Sequence, residues 1–63
     1  MNRIKEFREK ANIKSGELAK MAKISQPYLY DLENNRRGAK PETLERIALA
    51  LGVNVTDLIQ KAV

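Results

Sequence analysis

The chain has 63 residues, enough for one domain (1–63) that would bury only about 60% of its unfolded surface. It contains no cysteine and no histidine, which excludes disulfides, thiolate metal sites and histidine-based catalysis. Its 12 Lys and Arg against 8 Asp and Glu give a net charge of +4, which favours a polyanionic partner, and no apolar run is long enough for a membrane span or a signal peptide.

Apolar residues recur with helical spacing along the whole chain, and no segment alternates as a strand would. The pattern predicts an all-α fold of five short helices. The first helix is predicted over about residues 2–11, with Ile4, Phe7 and Ala11 on its apolar stripe. Asn12 follows it and can take the left-handed conformation that ends a helix.

The second helix is predicted to begin at Ser15 or Gly16 and to end near Ala22. Ser15 is the better N-cap by residue type. The residues predicted to face inward are Leu18, Ala19 and Ala22.

The third helix is predicted over about residues 26–34. Ser25 caps it, and because Pro27 has no N–H, the Ser25 oxygen should accept from the amide of Tyr28. Leu29 and Leu32 point inward, and Asn35 suits a left-handed turn after the helix.

The fourth helix begins with Pro41 and ends before Gly52, residue types typical of these two positions. Its predicted buried stripe consists of Leu44, Ile47, Ala48 and Leu51. A fifth helix starts near Val55, where Asn54 and Asp57 form a pair like a capping box. Its apolar positions are Val55, Leu58, Ile59 and Ala62.

Helices two and three, hinged by a polar turn at 23–25, have the anatomy of a helix-turn-helix, whose second helix enters the DNA major groove. The segments ELAKMAKISQPYLYDLEN (17–34) and LERIALALGVNVTDLI (44–59), joined across a basic loop, resemble the phage-repressor and Cro-type helix-turn-helix domain, also called the XRE family. The resemblance implies a compact five-helix, lambda-repressor-like DNA-binding domain.

Three positions depart from the family pattern. Lys23 stands where members have glycine in the tight turn, so we expect strain or a shifted turn there. Lys14 stands where members often have a capping Ser or Thr, which predicts a later start of the second helix. Asn35 replaces a glycine and is compatible with left-handed geometry.

Side chains at the start of the third helix are the predicted DNA base contacts, because they would reach deepest into the groove. Gln26 is the first choice, since its amide can bond bidentately to adenine. Pro27 and Tyr30 are further candidates. Tyr28 is predicted either to contact DNA or to pack against the second helix. Asp31 either accepts from a cytosine or pairs with one of the arginines of the basic loop.

Amides at the start of the second helix and cations around the third are the predicted phosphate contacts, which would hold the domain in register without reading sequence. The alternative is that these charges merely form solvated surface. The candidates are Ser15, Gly16, Ser25, Arg36, Arg37, Lys40, Lys14, Lys23 and Arg8.

The apolar residues near the C-terminus exceed what one short helix needs, and members of the family bind as two-fold dimers. We therefore expect a homodimer, at least on DNA, and a palindromic operator. The alternative is that these residues complete the core of one copy. The candidate dimer surface consists of Val55, Ile59, Ala62 and Val63.

The predicted function is sequence-specific binding of double-stranded DNA by a transcriptional regulator, expected to be a repressor. Alternatives are an antitoxin-type protein-interaction module and the DNA-binding fragment of a larger regulator. Without a histidine, a cysteine or a Gly-rich phosphate loop, we expect no enzyme, no cofactor and no metal. We expect a soluble, cytoplasmic protein associated with the nucleoid and not with a membrane.

Overall fold

The computed structural model describes residues 2–59. Within these residues five helices follow one another, which confirms the predicted all-α architecture: α1 (Ile4–Lys10), α2 (Ser15–Met21), α3 (Gln26–Glu33), α4 (Pro41–Leu51) and α5 (Val55–Leu58). Within this range the only pairing of β type is an isolated bridge between Asn2 and Ile59. None of the described helices is long and apolar enough to span a bilayer.

The core lies between all five helices. Its buried apolar residues are Ile4, Leu18, Ala19, Ala22, Leu29, Leu32, Ile47, Ala48 and Leu58, all of them at positions predicted to face inward. The core prediction for Ala11 was wrong, and those for Leu44 and Leu51, which pack against the core, held only in part. Ala11 is exposed, because α1 ends one residue before it. Leu44 and Leu51 are only partly buried, while the unpredicted Thr43 is 6% exposed.

Each of the helices α1 to α4 is followed by a residue with a left-handed backbone. Asn12, Lys23 and Asn35 have φ values of 58°, 59° and 59°, and Gly52 has 71°. The turn at Lys23 therefore keeps the left-handed geometry that glycine would take, and the expected shift of the turn does not occur.

The helix starts follow the predictions at α3 and α4, but not at α2. The Ser25 hydroxyl accepts from the Tyr28 amide at 3.2 Å, and Pro41 is the first residue of α4. The prediction that Ser15 caps α2 was wrong: Ser15 is the first helical residue, and Lys14 is the N-cap without a side-chain hydrogen bond. The helix therefore starts without delay, because Lys14 takes the extended conformation that the position requires.

An ion pair locks α1 to α3. Arg8 Nε donates to Glu33 Oε2 at 2.7 Å, and Arg8 Nη1 donates to the Ile13 carbonyl at 3.0 Å. The Arg8 side chain is only 13% exposed. A phosphate contact expected of Arg8 would require it to leave this ion pair, so we assign it a structural role instead.

Candidate nucleic-acid interface

The α2–turn–α3 unit is held rigidly from both sides. Ile24 N donates to the Ala19 carbonyl at 2.9 Å across the turn. From α4, Arg46 Nε donates to the Ala22 carbonyl at 2.8 Å, while Arg46 Nη1 bonds Glu42 at 2.8 Å. Because Ala22 is the C-cap of α2, this arginine fixes the end of α2 against α4.

The start of α3 presents an exposed polar edge next to the start of α2. Gln26, Pro27 and Tyr30 are exposed, and Tyr30 is 55% accessible. The Gln26 amide Nε2 donates to the Ser15 hydroxyl at 3.2 Å. A Cβ built at Gly16 would lie 3.5 Å from Gln26 Oε1, so the Gln26 amide rests directly over this glycine. The fold thus brings the first predicted base contact together with two predicted phosphate contacts.

The two tyrosines of α3 differ in environment. Tyr28 is half-buried and packs against the core, which follows one of its two predicted alternatives, while Tyr30 faces solvent. The guanidinium of Arg37 lies 5.9 Å from the centre of the Tyr28 ring, and that of Arg36 lies 5.6 Å from the Tyr30 ring. Cation–π attraction therefore gathers the loop arginines along α3.

Asp31 pairs with the basic loop, as one of its predicted alternatives required. Its carboxylate Oδ2 lies 3.5 Å from Arg37 Nε. The partner is Arg37, whereas Arg36 reaches Asp31 only through its backbone, by donating its N–H to the Asp31 carbonyl at 2.8 Å. Asp31 thereby ties the start of the loop to α3.

The loop cations border a shallow groove of about 590 Å³ beside the start of α3. Arg37, Lys40 and Arg46 line it together with Ser25 and Tyr28. Ser25 uses an oxygen lone pair in its helix cap, so its hydroxyl proton is still available to a ligand. The remaining predicted phosphate contacts, Lys14, Lys23 and Arg36, are all exposed.

A further cation missed by the sequence reasoning lies on the other side of α3. Lys5 lines a groove of about 290 Å³ with Ser15, Gln26 and Tyr30. Its position in sequence gave no signal, because it lies on the polar side of α1, far along the chain from α3. Only the packing of α1 against α3 brings it to this edge.

A family described as "Helix-turn-helix" matches residues 4–58. The chain belongs to this family.

Curated relatives of this helix-turn-helix chain are regulators. The HTH-type transcriptional regulator DdrOP3 of Deinococcus deserti is 38% identical over 58 residues, which are 92% of this chain and 45% of that protein. The immunity repressor protein of Bacillus phage phi105 is 37% identical over 57 residues, 90% of this chain and 40% of the repressor. These relatives confirm the resemblance to the phage-repressor group, and they are not enzymes. The chain spans less than half of their length.

The fold is also that of a solved regulator. SinR of Bacillus subtilis, crystallised in complex with DNA, superposes on this chain with a TM-score of 0.81 at 31% identity. The match covers 86% of this chain and 87% of the SinR chain. The predicted lambda-repressor-like fold is thereby confirmed.

Proposed function

We propose that this helix-turn-helix domain is the sequence-reading part of a transcriptional regulator, expected to be a repressor, and that α3 enters the DNA major groove. The observation that carries the proposal is the presentation of Gln26. Its amide lies at the exposed start of α3 and is oriented by Ser15 at the start of α2. Family membership and the repressor among its relatives support the same reading.

Base reading is assigned to the exposed edge of α3. The major groove admits one α-helix, and adenine presents there an acceptor and a donor that match the two ends of a glutamine amide. Gln26 is the proposed adenine contact. Pro27 can touch a thymine methyl, and the exposed Tyr30 can reach a base or a phosphate.

Phosphate contacts are assigned to both flanks of α3. The amides of Ser15 and Gly16 lie in the first turn of α2, where the helix dipole favours an anion. Arg37 and Lys40 line the groove on the opposite flank, and Arg36 lies over the Tyr30 ring; all three are exposed. Because each phosphate neutralised releases a counterion, log K should fall with log salt with a slope of about −0.9 per contact.

Two copies are proposed to bind together on a palindromic site. Ile59 is 48% exposed and Val55 is only partly buried, so both leave apolar surface uncovered. The other two residues of the candidate dimer surface, Ala62 and Val63, lie outside the described residues. The chain also spans less than half of its regulator relatives, so we propose that the domain works within a longer regulator as well. Its proposed location is the cytoplasm, on the nucleoid.

A binding selection on random duplexes tests this function. Gln26→Ala should relax the preference at one or two base positions and cost about 1–3 kcal/mol at the preferred site. The double variant Arg36→Ala, Arg37→Ala should instead weaken all sequences alike and make the salt slope shallower.

The matched control is Lys10→Ala with Lys20→Ala, which removes the same charge from cations to which we assign no DNA contact. If the control flattened the salt slope as much as the arginine variant, the assignment of the loop to phosphates would be wrong. Binding by the unmodified chain without sequence preference would contradict the regulator proposal and leave a general nucleic-acid binder.

A further inference from the structure

The side chain of Asn2 connects three parts of the molecule. Its Oδ1 accepts from the Ile4 amide at 3.0 Å, in the first turn of α1. Its Nδ2 donates to the Leu32 carbonyl at 2.7 Å and to Asn35 Oδ1 at 3.1 Å. The Asn2 amide group therefore caps the start of α1. It also joins the end of α3 to Asn35, the first residue of the loop.

Asn2 is itself fixed by α5. The adjacent Arg3 N–H donates to the Leu58 carbonyl at 2.8 Å, and Asn2 forms an antiparallel bridge with Ile59. A segment outside the helices stays ordered where hydrogen bonds tie it down. Here the tie is to the end of α5, where Leu58 is fully buried, so Asn2 is a fixed point.

The partner of Asn2 in the loop is the residue that sets its direction. Asn35 is left-handed, with a φ of 59°, and its N–H donates to the Leu32 carbonyl at 3.2 Å. Arg36 and Arg37 follow immediately. A change in the orientation of Asn35 would therefore change where both arginines lie relative to α3.

Close packing against the core holds this loop only at Ala39. A cavity of about 170 Å³ lies between the loop and the core, lined by Gly38 and Ala39 on the loop side and by Leu44 and Leu58 on the core side. Of the segment 35–40, only Ala39 is partly buried. Polar contacts at the start of the loop therefore have to hold it, and those of Asn2 reach across the chain.

We propose that Asn2 is a positioning residue for DNA binding, which holds the arginines of the basic loop where they meet the phosphates. This inference rests on the proposed function, because it assigns Asn2 an effect on DNA through Asn35. It also joins the loop to α5 through a single residue.

Two substitutions of Asn2 separate this role from the capping of α1. Asn2→Ala removes all three hydrogen bonds of the side chain. Asn2→Ser keeps a hydroxyl that can accept from the Ile4 amide, remains uncharged, and is too short to reach Leu32 or Asn35. Asn35→Gly removes the acceptor in the loop while still allowing the positive φ.

Binding to the selected duplex is measured at several salt concentrations, at a temperature where each variant is folded by circular dichroism. Asn2→Ser should weaken binding by about 2- to 10-fold, the range expected for one or two lost hydrogen bonds. Its salt slope should be shallower by about one, as for the loss of one phosphate contact. The double variant Asn2→Ser, Asn35→Gly should bind like Asn2→Ser alone, because both changes break the same tether.

The outcomes of these measurements decide between the roles. Weaker binding by folded Asn2→Ser with a non-additive double variant supports the positioning role. A lower melting temperature with unchanged affinity and slope overturns it and leaves a purely structural residue. Fully additive effects of the two substitutions overturn it as well. If the unmodified chain bound no duplex at all, both the proposed function and this inference would fail. If the unmodified chain bound normally and Asn2→Ser bound equally well, only this inference would fail.

Discussion

The least favourable backbone position among the described residues is Lys23. Left-handed geometry costs an L-residue about 1 kcal/mol, and asparagine, which occupies two of the other positive-φ positions, tolerates it better than lysine. Lys23 must keep this geometry because the turn places Ile24 against Ala19 and sets the angle between α2 and α3. The strain at this residue is therefore balanced by the packing of the helices on either side.

Lys23→Gly should therefore stabilise the domain. Glycine adopts the observed φ of 59° without steric cost, and the relief should outweigh the extra freedom it gives the unfolded chain. A net gain of about 0.5–1 kcal/mol would raise the melting temperature by several degrees for a domain of this size. The control is Asn12→Gly, at a φ of 58°, which should gain less because asparagine already fits there. Equal gains at both positions would show that side-chain type does not matter at these turns.

How well the sequence predicted individual residues depended on whether the signal was local. Asn12 and Asn35 have the predicted left-handed backbone, and Ser25 has the predicted capping bond, because each depends on its own residue type and immediate neighbours. Thr43 was missed although it lies four residues before Ile47 and thus on the same helix face. Because threonine carries a hydroxyl, it was not counted among the apolar residues, although its spacing alone would have predicted burial.

At the scale of helices, α1 is the one in which a single carboxylate pairs with two cations. It has seven residues, fewer than an isolated helix needs in water. Glu6 lies 2.9 Å from Arg3 Nη2 and 3.3 Å from Lys10 Nζ. The hydrogen bond from Arg3, followed by that from Lys10, lowers the pKa of Glu6 to about 2 from an ordinary 4.5. One carboxylate thus joins two cations along the exposed side of α1.

This arrangement predicts how stability responds to acid. A carboxylate with a lowered pKa in the folded state contributes stability that is fully present above pH 4.5 and is lost as the pH falls toward 2. Glu6→Gln should therefore flatten the loss of thermal stability between pH 4.5 and pH 2, and salt should weaken the difference because the pair is exposed. Glu45→Gln, an exposed carboxylate without an ion pair among the described residues, is the control. If Glu6→Gln lost thermal stability between pH 4.5 and pH 2 as steeply as the unmodified chain, the ion pairs would contribute nothing measurable.

The spacing of the apolar residues predicted the helices and their inward faces, but it did not predict the contacts between helices. The sequence predicted all five helices, but it gave no signal that Arg8 would pair with Glu33 or that Arg46 would bond the Ala22 carbonyl. Each of these bonds joins residues more than 20 positions apart. A lone arginine on a polar face predicts solvent exposure equally well, so only the packing of helices distinguishes a structural arginine from one available to DNA.

For the whole molecule, size limits what one copy can read. The described chain extends 32 Å along its longest axis, close to the length of about 34 Å of one turn of DNA. On the proposed palindromic operator, one copy would therefore occupy a single half-site, and a second copy on the same face of the duplex would read the other. The exposed Ile59 adjoins the Asn2 bridge, which itself holds the end of α3. A dimer contact there would fix the distance between two copies of α3.

Ile59→Ser should consequently weaken cooperative binding to a palindrome without changing the affinity for one half-site. The loss follows from the apolar surface removed from the contact between copies, while Gln26 and the basic loop remain as they are. Binding curves on one and two half-sites, with the spacing varied around one helical turn, measure both quantities. Leu49→Ser is the matched control, since Leu49 is 83% exposed on α4 and belongs to no proposed contact. If Leu49→Ser reduced cooperativity and Ile59→Ser did not, the dimer surface would lie on the α4 side of the molecule and the proposed placement of two α3 helices would have to be redrawn.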